Sequence, residues 1–485
     1  MKIPAHILKT IKAIQASGYE AYIVGGCVRD LLMGKTPKDW DITTSARPEQ
    51  ILAVFADARY ENTFGTVLLP VRAAVLDGES KGKLEDVIEI TTYRSEQGYG
   101  DRRHPDQVRF ETELAKDLER RDFTINALAL DPAAGDDVVD LFGGVKDIRL
   151  KVIRAVGEPA DRFKEDALRM MRAIRFSSQL GFELEPKTQR GIVKLAGSLK
   201  FVSKERIHDE LVKIFVSDRS AEGVMLLHDC KLLQYIMPEL EAGVDVKQDR
   251  HHIYPVFKHN VLSLQHCPSR EWQVRLAALL HDIGKPKTRK IIGGIATFYN
   301  HEYVGAKLTE KIMTRLKFSA ADTARVVNLV KNHMFYYNVG EVTAASVRRL
   351  IVKVGKENLQ DLIHLRVADR LGSGTPKAMP YKLRHLQYML EKVQNDPVSV
   401  KMLKINGDGL MKALSLAPGP KIGAILDVLL AEVLEDPELN EAVKLAGAAK
   451  KLAALDLEEL RARAKTVIAE KRSEDDQKIK RQFKV

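Results

Sequence analysis

Residues 23–44 read IVGGCVRDLLMGKTPKDWDITT. An apolar run ends at Gly25-Gly26, a helical pattern (VRDLLMG) follows, and after a Lys-Thr-Pro-Lys turn a second β-like run, WDITT, begins at Trp40. A glycine turn of this kind leaves backbone N–H groups at a helix N-terminus, where phosphate oxygens meet both donors and dipole. Gly25 and Gly26 are candidates for that contact, with Arg29 one turn into the helix; taken alone, a Gly-Gly pair is more often a plain tight turn. Asp39 and Asp41 are two residues apart, and alternate residues of a strand share a face, so the two carboxylates lie side by side. Such a pair needs neutralising, and Mg²⁺ with oxygen ligands is the natural partner. Two ions held there would activate an attacking hydroxyl and stabilise a leaving pyrophosphate. A third carboxylate is expected from a neighbouring strand, DVIEITTYR at 86–94, where Glu89 is preferred and Asp86 is the competitor.

Outward from this stretch, residues 1–150 alternate short strands and helices. IKAIQASG predicts a helix closing at Gly18; TVLLPVRAAVL and FTINALAL predict further strands. From about Glu165 the period turns helical and stays so, which predicts an α+β chain with a mixed N-terminal sheet and a helical remainder. At ~100–200 residues per domain, 485 residues suggest about three domains. Prolines at 376, 380 and 397, Pro-Gly-Pro at 418–420 and Asp-Pro at 436–437 are candidate boundaries. Apolar residues make up 45% and charged ones 29%, which excludes wholesale disorder. Cys27, Cys230 and Cys267 are too scattered for a disulfide framework or zinc knuckle, and no run reaches the ~20 apolar residues of a membrane span. The first twenty residues lack a signal-peptide pattern, so a reduced, cytoplasmic protein outside the membrane is expected. The net charge of +11 hints at a polyanionic partner but is informative only where it converges on a site.

Two motifs address nucleotide choice. In RRDFTINALAL (120–130), Asp122 can accept from a ribose hydroxyl, Arg121 can bind phosphate and Asn126 can bridge backbone and sugar; the plainer reading is a helix cap at Asp122. In EDALRMMRAIRF (165–176), Asp166 and Arg169 stand at i and i+3, which predicts one shared helix face. A carboxylate accepts from an exocyclic amino group and a guanidinium donates to ring acceptors, so the pair can mimic a pairing edge for cytosine and adenine. Uracil and guanine would leave a buried acceptor unpaired at ~1–3 kcal/mol per group. The plainer reading is an intrahelical salt bridge.

GGCVRD, DWD, ERRDFTINALAL, DLFGGVKDIRLKVIRAVGEPADRF, EDALRMMRAIRF and VSKERIHDEL follow one another in this order. Over residues 1–215 the sequence resembles the bacterial tRNA nucleotidyltransferases (CCA-adding enzymes), with bacterial poly(A) polymerases as close cousins. The resemblance implies a polymerase-β-like nucleotidyltransferase head (1–150) and an all-α neck (151–245). It makes Asp39 and Asp41 the metal-binding catalytic pair and gives Glu165, Asp166 and Arg169 the template role for CTP and ATP. Arg172 joins the nucleotide-binding set, and Ser203, Arg206 and Glu210 buttress the template helix. Ala167 departs from the family's frequent proline, which bears on how that helix starts. The implied activity is template-independent addition of C, C and A to the tRNA 3′ end. The alternatives are poly(A) synthesis, or addition of only CC or only A.

Eight of thirteen histidines lie between His251 and His364. Within that segment, His259, His281-Asp282 and Asp369 have the order H…HD…D, a donor set suited to a divalent metal, while His301 and His333 would complete a second metal position or bind phosphate. RLAALLHDIGKP and its partners resemble the HD phosphohydrolase domain (about 246–375), implying metal-dependent hydrolysis of 2′,3′-cyclic phosphates or other phosphoesters. A chain acting mainly as an HD phosphohydrolase is the second alternative, and the intact DWD and EDALR motifs count against it. Residues 376–485 resemble a helical tRNA-binding tail, ending in a basic stretch. A homo-oligomer is compatible with all of this.

Overall fold

The computed structural model describes residues 2–464 apart from 62–64, 73–83, 98–106, 134, 136, 250–252, 336, 339–342, 376 and 394–399. The segment EQGYGDRRHP, read as a polar loop able to help switch from C to A, falls largely outside the described residues, as do His251, His252 and most of the basic tail. Contacts divide the chain into two compact units, Met1–Glu241 with Arg315–Phe318, and Ala242–Thr314 with Ser319–Val485.

In the first unit, strands β1 (Ala21–Val24), β2 (Asp41–Thr44), β3 (Arg59–Tyr60), β4 (Thr66–Arg72), β5 (Leu84–Thr92), β8 (Leu128–Leu130) and β9 (Val138–Asp140) form one mixed sheet, ordered β3-β4-β5-β2-β1-β8-β9. A hairpin of β6 (Arg94–Gln97) and β7 (Gln107–Phe110) stands apart. Ile7, Ile11 and Ile14 of helix α1 (Ala5–Ala16) recur at helical spacing and are fully buried with Ile23, Ile42, Ile88, Ile90 and Val67 of the sheet. Each such side chain contributes roughly 1.5–3 kcal/mol. Because strand side chains alternate, this core face leaves Asp41, Thr43, Glu89 and Thr91 on the other face, where β2 and β5 run parallel with Asp41 opposite Glu89.

Helices α2 (Gly26–Leu32), α3 (Pro48–Val54), α4 (Leu114–Glu119) and α5 (Gly144–Leu150) complete the head. The following segment packs α6 (Pro159–Glu165), α7 (Leu168–Leu180), α8 (Pro186–Leu195), α9 (Lys204–Phe215), α10 (Ser220–Asp229), α11 (Leu233–Ile236) and α12 (Pro238–Glu241). It is helical except for a two-residue parallel ladder, β10 (Val152–Ile153) with β11 (Glu183–Leu184), so the expected all-α neck is corrected to that extent.

A second correction concerns EDALRMMR. Its helical period predicts one helix carrying Asp166 and Arg169 on a shared face; instead α6 ends at Glu165, Asp166 is extended (φ −139°, ψ 106°), and α7 starts afresh at Leu168. Asp166 Oδ1 accepts the Leu168 N–H at 2.9 Å. A short carboxylate offers the backbone that alternative to the helix, and here it is used as a cap. Closure of α7 at Gly181, in the left-handed region at φ 71°, is as expected.

The second unit is helical: α13 (Val256–Gln265), α14 (Trp272–Leu280), α15 (Lys285–Thr288), α16 (His301–Arg315, whose last residue belongs to the first unit), α17 (Ala320–Asn332), α18 (Ala344–Val354), α19 (Leu359–Gly372), α20 (Tyr381–Val393), α21 (Gly407–Leu414), α22 (Pro420–Glu435) and α23 (Ala442–Leu452). One small hairpin, β12 (Lys290–Ile292) with β13 (Ile295–Thr297), interrupts it. Leu410, Ile425, Val428, Leu429 and Ala449 center a separate apolar core for the last three helices. Among the described residues no helix is long and apolar enough to cross a membrane.

Candidate active sites

In the head, Asp39 is exposed just ahead of β2, Asp41 is half-buried at its start and Glu89 is exposed on β5. Burial pushes the Asp41 carboxyl above its ordinary value and Asp39 adds to this, against the lowering effect of Arg121. Glu89 is likewise raised, by burial and by the charges of Asp41, Glu61 and Asp39. Carboxylates crowded enough to resist ionising are a donor set that fits a divalent cation. The competitor Asp86 accepts from His6 Nε2 at 3.1 Å and faces Val71 in the sheet, away from Asp41.

The glycine turn works differently from the sequence expectation. Gly25 lies at φ 84°, and a Cβ there would stand 2.8 Å from Arg121 Nη1 and 3.8 Å from Asp41 Oδ2. The glycine is therefore needed for the approach of Arg121 as well as for its backbone angle. Its N–H is not free for phosphate, since it donates to the Leu128 carbonyl at 3.0 Å. Arg29 is buried and donates to Asn126 Oδ1 (2.7 Å) and Asp30 Oδ1 (2.8 and 2.9 Å), so it acts as a strut rather than a reaching cation.

Asp117 is the residue that sequence reading missed. It is fully buried, accepts from Arg120 (2.7 Å), Arg121 (3.3 Å) and Thr43 Oγ1 (3.3 Å), and so ties the arginine pair to the strand of Asp41. The opposing push of burial is outweighed by the two arginines, and its carboxyl lies below the ordinary value. Its i,i+3 and i,i+4 spacing to Arg120 and Arg121 was the available signal.

Asp122 sits in a buried network. Oδ2 accepts from Arg172 Nε at 2.7 Å, and Oδ1 accepts from the Phe123 N–H at 2.9 Å and Asn126 Nδ2 at 3.2 Å. Burial would raise this carboxyl, but the charges of Arg172 and Arg169 win and bring it to about 2. Asn126 thus joins Asp122 to Arg29. The ring of Phe176 lies 5.4 Å from the Arg29 guanidinium, 5.4 Å from that of Arg172 and 4.2 Å from that of Arg175.

At the break between α6 and α7, Arg206 of α9 holds Asp166 with Nη2 at 2.6 Å from Oδ2 and Nη1 at 3.3 Å from Oδ1. Arg169 pairs with Glu165 and donates to the Arg120 carbonyl at 3.0 Å. The intrahelical Asp166–Arg169 bridge is replaced by these separate anchors. Arg175 Nε lies 3.0 Å from Glu210, a second tie from α9 to α7. The two base-reading candidates are thereby brought to one short bend and fixed from neighbouring elements.

In the second unit, His259 (α13), His281 and Asp282 (after α14), His301 (α16) and His333 (after α17) are all buried. His281, His301 and His333 each direct Nδ1 at the carbonyl three residues back, Ala278, Phe298 and Val330, at 2.7–2.8 Å. That contact fixes the ring and leaves Nε2 pointing inward, the arrangement of a metal-ligating imidazole. Asp282 divides the cluster. Oδ2 lies 3.2 Å from His259 Nε2, 3.4 Å from His281 Nε2 and 2.6 Å from Lys285 Nζ, whereas Oδ1 lies 3.1 Å from His301 Nε2 and 3.7 Å from His333 Nε2. Asp369 of α19 closes the first side, Oδ1 standing 3.4 Å from His259 and 3.7 Å from His281. The result is two triads sharing Asp282, with all candidate ligand atoms of each within 4.8 Å of one another.

Despite their burial, Asp282 and Asp369 are held well below the usual carboxylate range by the imidazoles and by Lys285 and Arg366. The same carboxylates outweigh burial at His281 and lift it to about 10, while burial prevails at His333 and lowers it to about 4. The Nε2 atoms of the imidazoles and the carboxylate oxygens converge as a donor set that fits a divalent metal. Gly284 makes the geometry accessible: a Cβ there would stand 2.1 Å from the His301 carbonyl oxygen, so any larger residue would drive α16 and His301 away from Asp282.

Three family matches cover this chain: the poly A polymerase head domain at residues 21–154, the probable RNA and SrmB-binding site of polymerase A at 181–243, and the HD domain at 258–373. It is 35% identical over 431 residues to the A-adding tRNA nucleotidyltransferase of Deinococcus radiodurans, covering 84% of this chain and 90% of that protein. It is 32% identical over 450 residues to the CCA-adding enzyme of Enterococcus faecalis, covering 91% and 94%. The crystal structure of the Bacillus stearothermophilus CCA-adding enzyme in complex with CTP superimposes with a TM-score of 0.69 at 27% identity, covering 94% of this chain and 98% of that one. Because the likeness to the first two relatives runs through at least nine-tenths of their length, the chain belongs to the tRNA nucleotidyltransferase/poly(A) polymerase family of enzymes and carries an HD domain.

Proposed function

We propose that this enzyme adds C, C and A to the 3′ end of tRNA from CTP and ATP, without a nucleic-acid template. The observation that carries the reading is the bend at Asp166, which brings an acceptor and a donor together behind two separate anchors, Arg206 and Glu165. Asp166 accepts the exocyclic amino group shared by cytosine and adenine, and Arg169 donates to the ring acceptors beside it. Asp166 Oδ1 already accepts from Leu168 and Arg206, whereas Oδ2 accepts from Arg206 alone and keeps a lone pair for the amino group. Arg172, Asp122 and Asn126 form the rigid ribose side of the pocket, and Arg121 faces the phosphates from above the Gly25 turn.

Asp39, Asp41 and Glu89 would hold divalent cations, Mg²⁺ being the natural choice, which would supply charge stabilisation to the attacking and leaving oxygens. The chain's own part is placement: β2–β5 register sets the carboxylates, and Asp117 fixes Arg121 beside them. In the second unit the cluster of His259, His281, Asp282 and Asp369, extended by His301 and His333, would bind divalent metal and hydrolyse phosphoesters, including 2′,3′-cyclic phosphates at RNA ends.

The named relatives include both a CCA-adding and an A-adding enzyme, so the decisive experiment offers purified protein tRNA transcripts ending before CCA, after C and after CC. CTP and ATP are supplied singly and together, and the products are sequenced. Full CCA on the first transcript is the expected result. Growth only on the CC-ended transcript would replace the reading by A-addition, and long A tails by poly(A) synthesis.

A further inference from the structure

The outer face of α20 is unlike the rest of the second unit. Leu383, Leu386, Leu390 and Val393 are buried, so the helix rests on its apolar stripe. On the opposite face, Tyr381 and Tyr388 are 63% and 58% exposed. Between them stands His385, with its ring center 6.0 Å from that of Tyr381 and 6.2 Å from that of Tyr388. Tyr337 joins from the segment after α17, 5.9 Å from the His385 ring and hydrogen-bonded to its Nδ1 through the hydroxyl. Two large rings are thus left facing solvent, braced from behind by a third and an imidazole.

The charge along this segment is predominantly positive. From 377 to 391 the ionised side chains are Lys377, Lys382 and Arg384, against Glu391 alone. A partner held by aromatic planes among cations is one that has flat apolar faces and carries negative charge, which describes unpaired nucleotides.

The face also leads to the metal cluster. Tyr337 is four residues beyond His333, and between them Phe335 lies 5.9 Å from the Arg366 guanidinium. Arg366 in turn bonds Asp369 Oδ2 at 2.7 Å. Contacts therefore join Asp369 of the cluster to Phe335, two residues before Tyr337.

We propose that Tyr381 and Tyr388, braced by His385 and Tyr337, form a stacking platform for the unpaired terminal bases of an RNA strand whose end is presented to the HD cluster. The proposal deepens the phosphoester reading of that cluster and rests on it for the location of the RNA end.

The test uses the full chain and a short, labelled single-stranded RNA, compared with an RNA of the same length whose terminal residues are abasic. Stacking on exposed rings predicts that the base-bearing RNA binds about tenfold or more tightly than the abasic one. In Y381A/Y388A the two RNAs should bind within about twofold of each other, because backbone contacts remain and stacking does not. Y381F/Y388F should keep the wild-type difference, since the ring and not the hydroxyl is needed. A wild-type difference that persists in Y381A/Y388A, or equal weakening of both RNAs, would overturn the platform. Glycerol phosphate, which has no base, separates this from failure of the underlying reading. If the cluster is no phosphoester site, wild type with Mn²⁺ leaves glycerol phosphate intact and the assigned RNA end is wrong. If only the platform is wrong, wild type and Y381A/Y388A hydrolyse it alike while the RNA difference survives the substitution.

Discussion

In the head, Asp39 and Glu89 are exposed and Asp41 is half-buried; Asp41 and Glu89 come from two adjacent strands and Asp39 from just ahead of the first. In the second unit, His259, His281, Asp282, His301 and His333 are each less than a tenth exposed and come from separate helices or their ends. The Asp41 and Glu89 carboxyls of the head are raised by burial and by neighbouring negative charge. The HD cluster is closed on itself, its carboxylates already surrounded by imidazoles and a lysine. An open polar pair set by one strand register suits a nucleotidyltransferase site that substrates must enter. A buried cluster drawn from several helices suits a fixed metal centre.

The comparison breaks most readily through paired knock-outs. D39A/D41A should lower CTP incorporation by about 10³-fold or more, the several kcal/mol of charge stabilisation expected of such a site. Mn²⁺ binding to the second unit, followed by equilibrium dialysis, should survive. H281A/D282A should do the reverse, losing the bound Mn²⁺ while incorporation stays near wild type. Simultaneous loss of both properties in either variant would mean that the two sites are not independent.

A smaller effect is expected at the bend. D166A or R169A should reduce discrimination of CTP and ATP against UTP and GTP by roughly tenfold, because an unpaired group costs ~1–3 kcal/mol. The check is kcat/KM for all four nucleotides on one transcript. Unchanged selection would remove these residues from base reading and leave them as structural struts.

The last effect, on stability rather than on rate, concerns Asp122. Its folded-state value of about 2 lies below the ordinary 3.8, so its ionised form favours the folded state. That contribution, about 2 kcal/mol at ~1.4 kcal/mol per unit, is fully present above pH 3.8 and is lost as pH falls through about 2. Urea unfolding should therefore show D122N less stable than wild type by about that amount at pH 7, with the gap closing only below pH 4. A gap that closes near neutral pH would show that the Arg172 contact is not what stabilises the carboxylate.

Much of the head was legible because its signals are local. The alternation in WDITT placed Asp41 and Ile42 on opposite faces, and a helix ended at Leu180 because Gly181 follows it. Glu89 was separable from Asp86 only by the sheet register, and Asp86 turned out to pair with His6, 80 residues away. The bend at Asp166 was hidden because the apolar period runs unbroken through it, while a single carboxylate–amide contact decides against the helix. Asp117 was overlooked because a buried acid flanked by arginines reads, in one dimension, like an ordinary solvated charge run.

By itself the sequence determined what depends on near neighbours: strand parity, helix period, the turns at glycine and the residue types able to ligate metal or read a base. Tertiary structure alone decided which distant groups share a charge: Asp41 with Glu89 and Arg121, Asp166 with Arg206, and Asp282 between two pairs of imidazoles. The physical reason is that backbone preferences are set within a few residues, whereas desolvation and pairing of buried charges depend on the elements packed around them.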